Sequence, residues 1–180
     1  MGKIYLDLEF IESGYKKPLE IISIGIVNED GKEYYAVCSE FTPQNANDWV
    51  KENVLKNLEI PKEGTKSIKQ IRKDIIEFVG DDPRPEFWTY FGSYDWVLFS
   101  MIFGTMMDLP KNFPMYTMDI KQLAVELGNP KLPEQTSEEH NSLNDAKHNK
   151  IMHEWLLKYK FVQKRFNLKE FKILLDKNNN

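Results

Sequence analysis

Cysteine occurs once in 180 residues, at Cys38. An intrachain disulfide is therefore impossible, and no thiolate cluster can hold zinc within the chain. No apolar run approaches the roughly 18 residues that span a bilayer. The opening Met1-Gly2-Lys3-Ile4-Tyr5-Leu6-Asp7 places charge inside any would-be signal core. A soluble, cytoplasmic protein without a membrane partner is the expectation. Long Gly/Ser/Pro linkers and internal repeats are missing, which fits one compact domain at this length. No Gly-x-Gly-x-x-Gly follows the first strand-like segment, so a Rossmann dehydrogenase is excluded. Basic excess is missing too: 24 Lys+Arg against 28 Asp+Glu leave −4, the wrong sign for a general nucleic-acid binder.

Hydrophobic residues make up 41% of the chain and aromatics 13%, which excludes a disordered polymer. The charge is unevenly spread. From Lys158 onward seven Lys/Arg stand against Glu170 and Asp176, a net +5 that leaves −9 on the residues before. Either the acidic part holds cations or it is a solvated surface.

The pattern predicts strands over 3–9, 20–27, 33–39 and 86–91, with a short one near 115–118. Segment 20–27 (EIISIGIV) is almost continuously apolar, as in a strand buried on both faces. Glu29-Asp30-Gly31 reads as a hairpin turn. Helices are expected over 48–58, 67–79, 93–103, a stretch ending at Gly128, 142–159 and 168–176. Strands followed by alternating helices and strands indicate an α/β fold, a mixed sheet flanked by helices. The expected domain covers 1–160. Residues 161–180 form a basic amphipathic helix that packs on the domain or at an interface, with a frayed Asn178-Asn179-Asn180 end.

Chemistry begins at Asp7-Leu8-Glu9, near the end of the first strand. Residues i and i+2 share one face of a strand. Two carboxylates there are costly to desolvate and repel each other, and a cation removes both penalties. The bland alternative is a strand end facing water. Asp95 sits in the first turn of a helix among aromatics, where a first-turn acid also suits the helix dipole. His140 and Asp145 flank the head of the long helix. Residues five apart differ by about 140° on a helix, so His140 should precede the helix and fold back over the site.

In chain order these residues resemble the DEDDh exonuclease family, whose fold is ribonuclease-H-like. Segments 7–14 (DLEFIESG), 20–27 and 29–37 (EDGKEYYAV) are similar to one branch, the polyadenylate-specific 3′ exoribonucleases called RNase AS. The likeness runs from about residue 4 to 155 and leaves the basic end uncovered. It implies a 3'-5' exoribonuclease that acts on the 3′ end of single-stranded RNA with a preference for poly(A), using two Mg²⁺ or Mn²⁺ ions. It implies Asp7, Glu9, Asp95 and Asp145 as metal ligands and His140 as general base. Phe10, Ile11, Ser23 and Trp96 follow as candidate substrate contacts. Two positions depart from the wider family. Phe91 or Gly92 stands where an Asn often precedes the third acid, and Ser23 stands where many members carry Glu, although the RNase AS branch has a similar Ser.

Four acids and one histidine fit Mg²⁺ or Mn²⁺ better than zinc. An imidazole, with an ordinary pKa of about 6.5, can take the proton of a water near neutral pH. His148 and His153 read as surface or packing residues, and the Lys62–Lys73 cations as phosphate contacts or a solvated helix face. The basic end could hold RNA or a partner subunit. RNase AS enzymes act as homodimers, and the face Phe161, Val162, Phe166, Phe171, Ile173, Leu174 would serve that interface or pack on its own domain. Three alternatives stay open: a general 3'-5' exonuclease on single-stranded DNA or short oligonucleotides, a non-catalytic nucleic-acid-binding module of the same fold, and a phosphatase of the haloacid-dehalogenase type. The last needs Asp-x-Asp where Asp7-Leu8-Glu9 stands.

Overall fold

Consecutive apolar residues on β1 (Lys3–Ile11) and β2 (Glu20–Asn28) are buried on both faces of the sheet, and helices cover both. A computed structural model describes residues 2–15, 17–136 and 139–178, with side chains as far as Arg165. β3 (Glu33–Val37), β4 (Glu86–Thr89) and β5 (Met118–Asp119) complete a five-stranded sheet of order β3-β2-β1-β4-β5. β1–β2 and β2–β3 are antiparallel, while β1–β4 and β4–β5 are parallel. The sheet is mixed, as expected.

On one face Ile4, Leu6 and Leu8 of β1 pack with Ile71 and Ile75 of α2 (Ile68–Val79) and with Leu98, Phe99 and Ile102 of α3 (Ser93–Phe103). Ser67 caps α2 by accepting from the Gln70 amide, so the helix begins where the sequence places a cap. The opposite face carries two separate apolar clusters. Tyr5 and Trp88 pack with α4 (Ile120–Glu126) and with Met152 and Leu156 of α5 (Ser142–Asn178). Ile11 and Ile22 pack with Ala46, Val50 and Val54, around α1 (Asp48–Asn53). Between these clusters the same face of β1 presents Asp7 and Glu9.

A bulge serves this division. Glu9 pairs with Ser23 and Phe10 with Ile21, leaving Ile22 without an opposite number. The extra residue reverses the parity of β2, which sends Ile21 to one core and Ile22 to the other.

Beyond shifts of one to three residues at the ends of β1, β2, β3 and β5, three boundaries differ from the sequence reading. β4 stops at Thr89 rather than residue 91, because Phe91 turns the chain at φ 56°. Gly92 then passes so close to Thr89 that a Cβ would lie 1.7 Å from its hydroxyl. The helix expected over 48–58 ends at Asn53 and resumes as a 3-10 turn over Leu55–Asn57. The two helices expected at the end are one, Ser142–Asn178, since no Gly or Pro interrupts that stretch. Phe166, Phe171, Ile173 and Leu174 have side chains outside the described residues, as does the Asn179-Asn180 end. Among the described residues no helix is long and apolar enough to cross a membrane.

Candidate active site

The long helix reaches the acidic strip because β2 carries Gly25 directly opposite Asp7. A Cβ on Gly25 would lie 2.1 Å from the Ser142 carbonyl oxygen. The start of α5 therefore rests on bare strand backbone. Asn141 caps it, its side-chain oxygen accepting from the Leu143 and Asn144 amides at 3.2 Å each. Asp145 falls in the first turn, with its amide donating to the Asn141 carbonyl at 2.9 Å.

These constraints bring Asp7, Glu9 and Asp145 together, one ligand atom of each lying within 4.8 Å of the others. Asp95 joins from the other side of β1. β4 has left the sheet at this level, and the Leu8 amide donates to Asp95 Oδ1 at 2.9 Å instead. Asp95 is 7% exposed and stands outside the group of three, yet its charge is felt at Asp7 and Glu9. Asp119 supports the turn before it by accepting from the Gly92 amide at 3.0 Å.

The electrostatics are those of carboxylates crowded without a counter-charge. Burial raises Asp7 well above its ordinary range, and Asp95, Glu9 and Asp145 add to the effect. Glu9 is pushed up to about 8 by burial first, then by Asp145 and Asp95. Asp95 rises to about 7 through burial, against the Leu8 amide that favours its charged form. Asp145 is raised by burial, although Gln135 Nε2 donates to it at 2.5 Å and His140 opposes the rise. Four oxygen-donor groups in this state fit a hard divalent cation, which would take carboxylate oxygens and relieve their repulsion.

His140 precedes α5, as expected, in a left-handed turn at φ 64°. Its ring meets Trp49 edge-on with centroids 4.9 Å apart. His140, Asp7 and Asp145 line a cleft of about 640 Å³ that continues along α5 past His148, Asn149 and Met152. A smaller cleft of about 280 Å³ lies on the other side of Glu9, bordered by Phe10, Glu12, Asn47 and Trp49.

Of the four candidate substrate contacts, Phe10 borders a cleft, and His148, read as a surface or packing residue, lines the larger one. Phe10 is half-buried and stacks on Tyr94 at 5.3 Å, and Tyr94 donates to Glu12 at 2.9 Å. Ile11 is 0% exposed beneath α1, which removes it from any ligand. Ser23 is 1% exposed and shares a 3.0 Å hydrogen bond with the Ser142 hydroxyl, so it holds α5 rather than substrate. Trp96 is 8% exposed and packs on Phe87 and Phe99 in the core. His153 is fully buried, hydrogen-bonded to Tyr5 at 2.9 Å and stacked on Trp88. Lys66 is held by Asp74 at 2.6 Å, and Arg72 donates to the Ile102 carbonyl. Sequence reasoning missed Trp49 and Gln135. A Trp in the first turn of the largely polar segment Asp48–Asn53 is a signal for the former. Gln135 lies in a loop whose path no periodicity reports.

A mixed sheet with helices on both faces and acids gathered at the end of β1 defines a ribonuclease-H-like exonuclease fold. Solved structures agree on the fold. The zinc-ion-bound E. coli exonuclease I–single-stranded DNA complex matches at a TM-score of 0.57 and 11% identity over 89% of this chain and 43% of that one. Exonuclease I from Methylocaldum szegediense matches at 0.55 and 11% identity, over 83% and 38%. The chain thus spans less than half the length of exonuclease I. The sequence profile of the 3'-5' exoribonuclease Rv2179c-like domain matches residues 2–157, and the chain belongs to that family. It is 40% identical over 148 residues to the 3'-5' exoribonuclease Rv2179c of Mycobacterium tuberculosis, covering 81% of this chain and 87% of that protein.

Proposed function

We propose that this protein is a metal-dependent 3'-5' exoribonuclease that removes nucleotides from the 3′ end of single-stranded RNA, adenylate-rich ends being favoured by the sequence resemblance. The observation that carries the reading is the convergence of Asp7, Glu9 and Asp145 within 4.8 Å beside a cleft, with Asp95 anchored next to them. Family membership supports the choice of RNA.

Asp7, Glu9, Asp95 and Asp145 would hold two Mg²⁺ or Mn²⁺ ions. Such a pair, when bound, activates a water and stabilises charge on the attacking and leaving oxygens. The chain's own residues do the rest. The cleft takes the RNA end, with Phe10 and Trp49 bordering the smaller pocket beyond Glu9. His140 accepts the proton of the attacking water through its imidazole, and Trp49 fixes the ring from one side. The water oxygen bonds to phosphorus as the bond from phosphorus to the 3′ oxygen of the preceding nucleotide breaks. That oxygen leaves with a proton from solvent, and a 5′-mononucleotide is released.

The test uses 5′-labelled poly(A), mixed-sequence RNA and single-stranded DNA, each with Mg²⁺ and with chelator. Stepwise 3′ shortening of RNA with Mg²⁺ alone is expected. Internal cuts, or cleavage that survives chelation, would overturn the reading. Equal shortening of DNA would return it to a general exonuclease.

A further inference from the structure

The domain core releases α5 before the helix ends. Among the described side chains Leu156 is its last buried one, and from Leu157 to Arg165 every side chain is exposed or half-buried. Four cations occupy this stretch: Lys158, Lys160, Lys164 and Arg165, all exposed. None forms a salt bridge among the described residues, in contrast to Lys147 and Lys150 on the same helix, which pair with Glu33 and Glu154. No Asp or Glu lies between Glu154 and Glu170 to balance them.

The position of this basic segment relative to the acids is set by one rigid element. Asp145, His148, Asn149 and Met152 place the cleft along α5, running from the acids toward the basic end. On the same face, one helical turn further, the Trp155 and Tyr159 rings stack 5.2 Å apart and nearly parallel, at 13°. At about 1.5 Å per residue, the cations stand roughly 20–30 Å from Asp145. The rest of the chain carries net negative charge. A polyanion whose end enters the acidic cleft meets net negative charge on that body, and a run of unbalanced cations where α5 leaves it.

We infer that the exposed basic segment of α5, Lys158–Arg165, is a phosphate-binding arm that holds single-stranded RNA upstream of the end being cut. This rests on the exoribonuclease reading and extends it. Interleaved cations and aromatics are the recognition chemistry of single strands, with contacts to phosphate rather than to sequence. At about 3.4 Å per stacked nucleotide, the cations meet phosphates roughly six to nine nucleotides from the 3′ end. Short products would escape the arm, and long chains would be retained.

The test replaces Lys158, Lys160, Lys164 and Arg165 together with Glu, and in a second variant with Gln. Steady-state cleavage is read on RNA of about 20 nucleotides and on RNA of about three, since only the longer reaches the arm. Anisotropy of the labelled longer RNA, in chelator, reads binding apart from chemistry. The expected result is a KM raised about tenfold for the long RNA with kcat kept, and unchanged kinetics on the short one. The slope of log affinity against log salt should flatten by up to about 3, at about 0.7 per phosphate contact. Unchanged behaviour on both lengths would overturn the arm. So would an equal loss on both, which marks a structural helix. A change from dimer to monomer by light scattering, with equal losses on both lengths, would assign the surface to a second copy instead. If the wild type cuts neither RNA, the exoribonuclease reading falls, and the anisotropy comparison still decides the arm.

Discussion

The Asn149 side-chain amide donates to the Leu6 carbonyl across 3.1 Å, tying α5 to β1 one turn beyond Asp145 and one residue before Asp7. Asn149 is 3% exposed, so this bond lies in the interior. The hydroxyl of Tyr5 and Nδ1 of His153 make a second tie one turn further along. Separate elements carry the acids, and these buried polar bonds fix their relative register. Asn149→Leu keeps the volume and removes the donor. It should cost about 1–3 kcal/mol of stability in urea unfolding and weaken Mn²⁺ binding several-fold by calorimetry. Unchanged metal affinity would show that the helix needs no such pin.

Gly25 has the complementary role of keeping space clear. Gly25→Ala drives a methyl into the Ser142 backbone, where the Cβ would stand 2.1 Å from a carbonyl oxygen. Backbone cannot rotate away as a side chain can, so α5 must lift from β2. The expected outcome is a loss of about 1–3 kcal/mol together with loss of metal binding, since Asp145 moves with the helix. Full activity in this variant would mean that the acids tolerate a displaced helix.

Much of this arrangement is legible from the chain. The i, i+2 spacing of Asp7 and Glu9 on a strand already places them on one face, and the His140–Asp145 spacing already sets His140 ahead of the helix. The same alternation shows what adjacency to the acids conceals. Phe10 faces away from Glu9, and Ile11 shares its face but falls under α1. Whether a residue beside a site touches ligand depends on which distant element covers it, and spacing within one strand carries no such information. The Gln135–Asp145 and Trp49–His140 contacts join segments separated by loops, so local pattern reports neither. The single helix from Ser142 to Asn178 follows from a missing breaker, a signal weaker than a breaker present.

His140 and the acids should separate in mutants. His140→Ala removes the proton acceptor and leaves every carboxylate in place. Turnover on RNA should fall by about 10²–10⁴, with Mn²⁺ affinity unchanged in calorimetry. Trp49→Ala, which frees one side of the ring, should lower kcat less and shift the pH profile of kcat. A His140→Ala enzyme with wild-type turnover would move the base elsewhere.

The raised carboxylates make a statement about stability that needs no substrate. Glu9 is pushed up to about 8 and Asp95 to about 7, against unfolded-chain values near 4. Between those limits the folded state binds protons that the unfolded chain has released, so stability falls as pH rises. His153, pushed down to about 4 by burial, works in the other direction, but only below its ordinary value near 6.5. The window from about 6.5 to 8 therefore belongs to the acids. In chelator, the melting temperature should drop by about 2–6 °C across that window, at about 2–4 °C per kcal/mol for a chain of this size. A divalent cation takes the place of the protons, so Mn²⁺ should raise the melting temperature more at pH 8 than at pH 6.5. Glu9→Gln should raise the chelated protein's melting temperature at pH 8 and cut the gain from Mn²⁺. Calorimetric scans check all three points. A chelated wild type that grows more stable from pH 6.5 to 8 would mean that the acids are already paired, and the cation would have no repulsion to relieve.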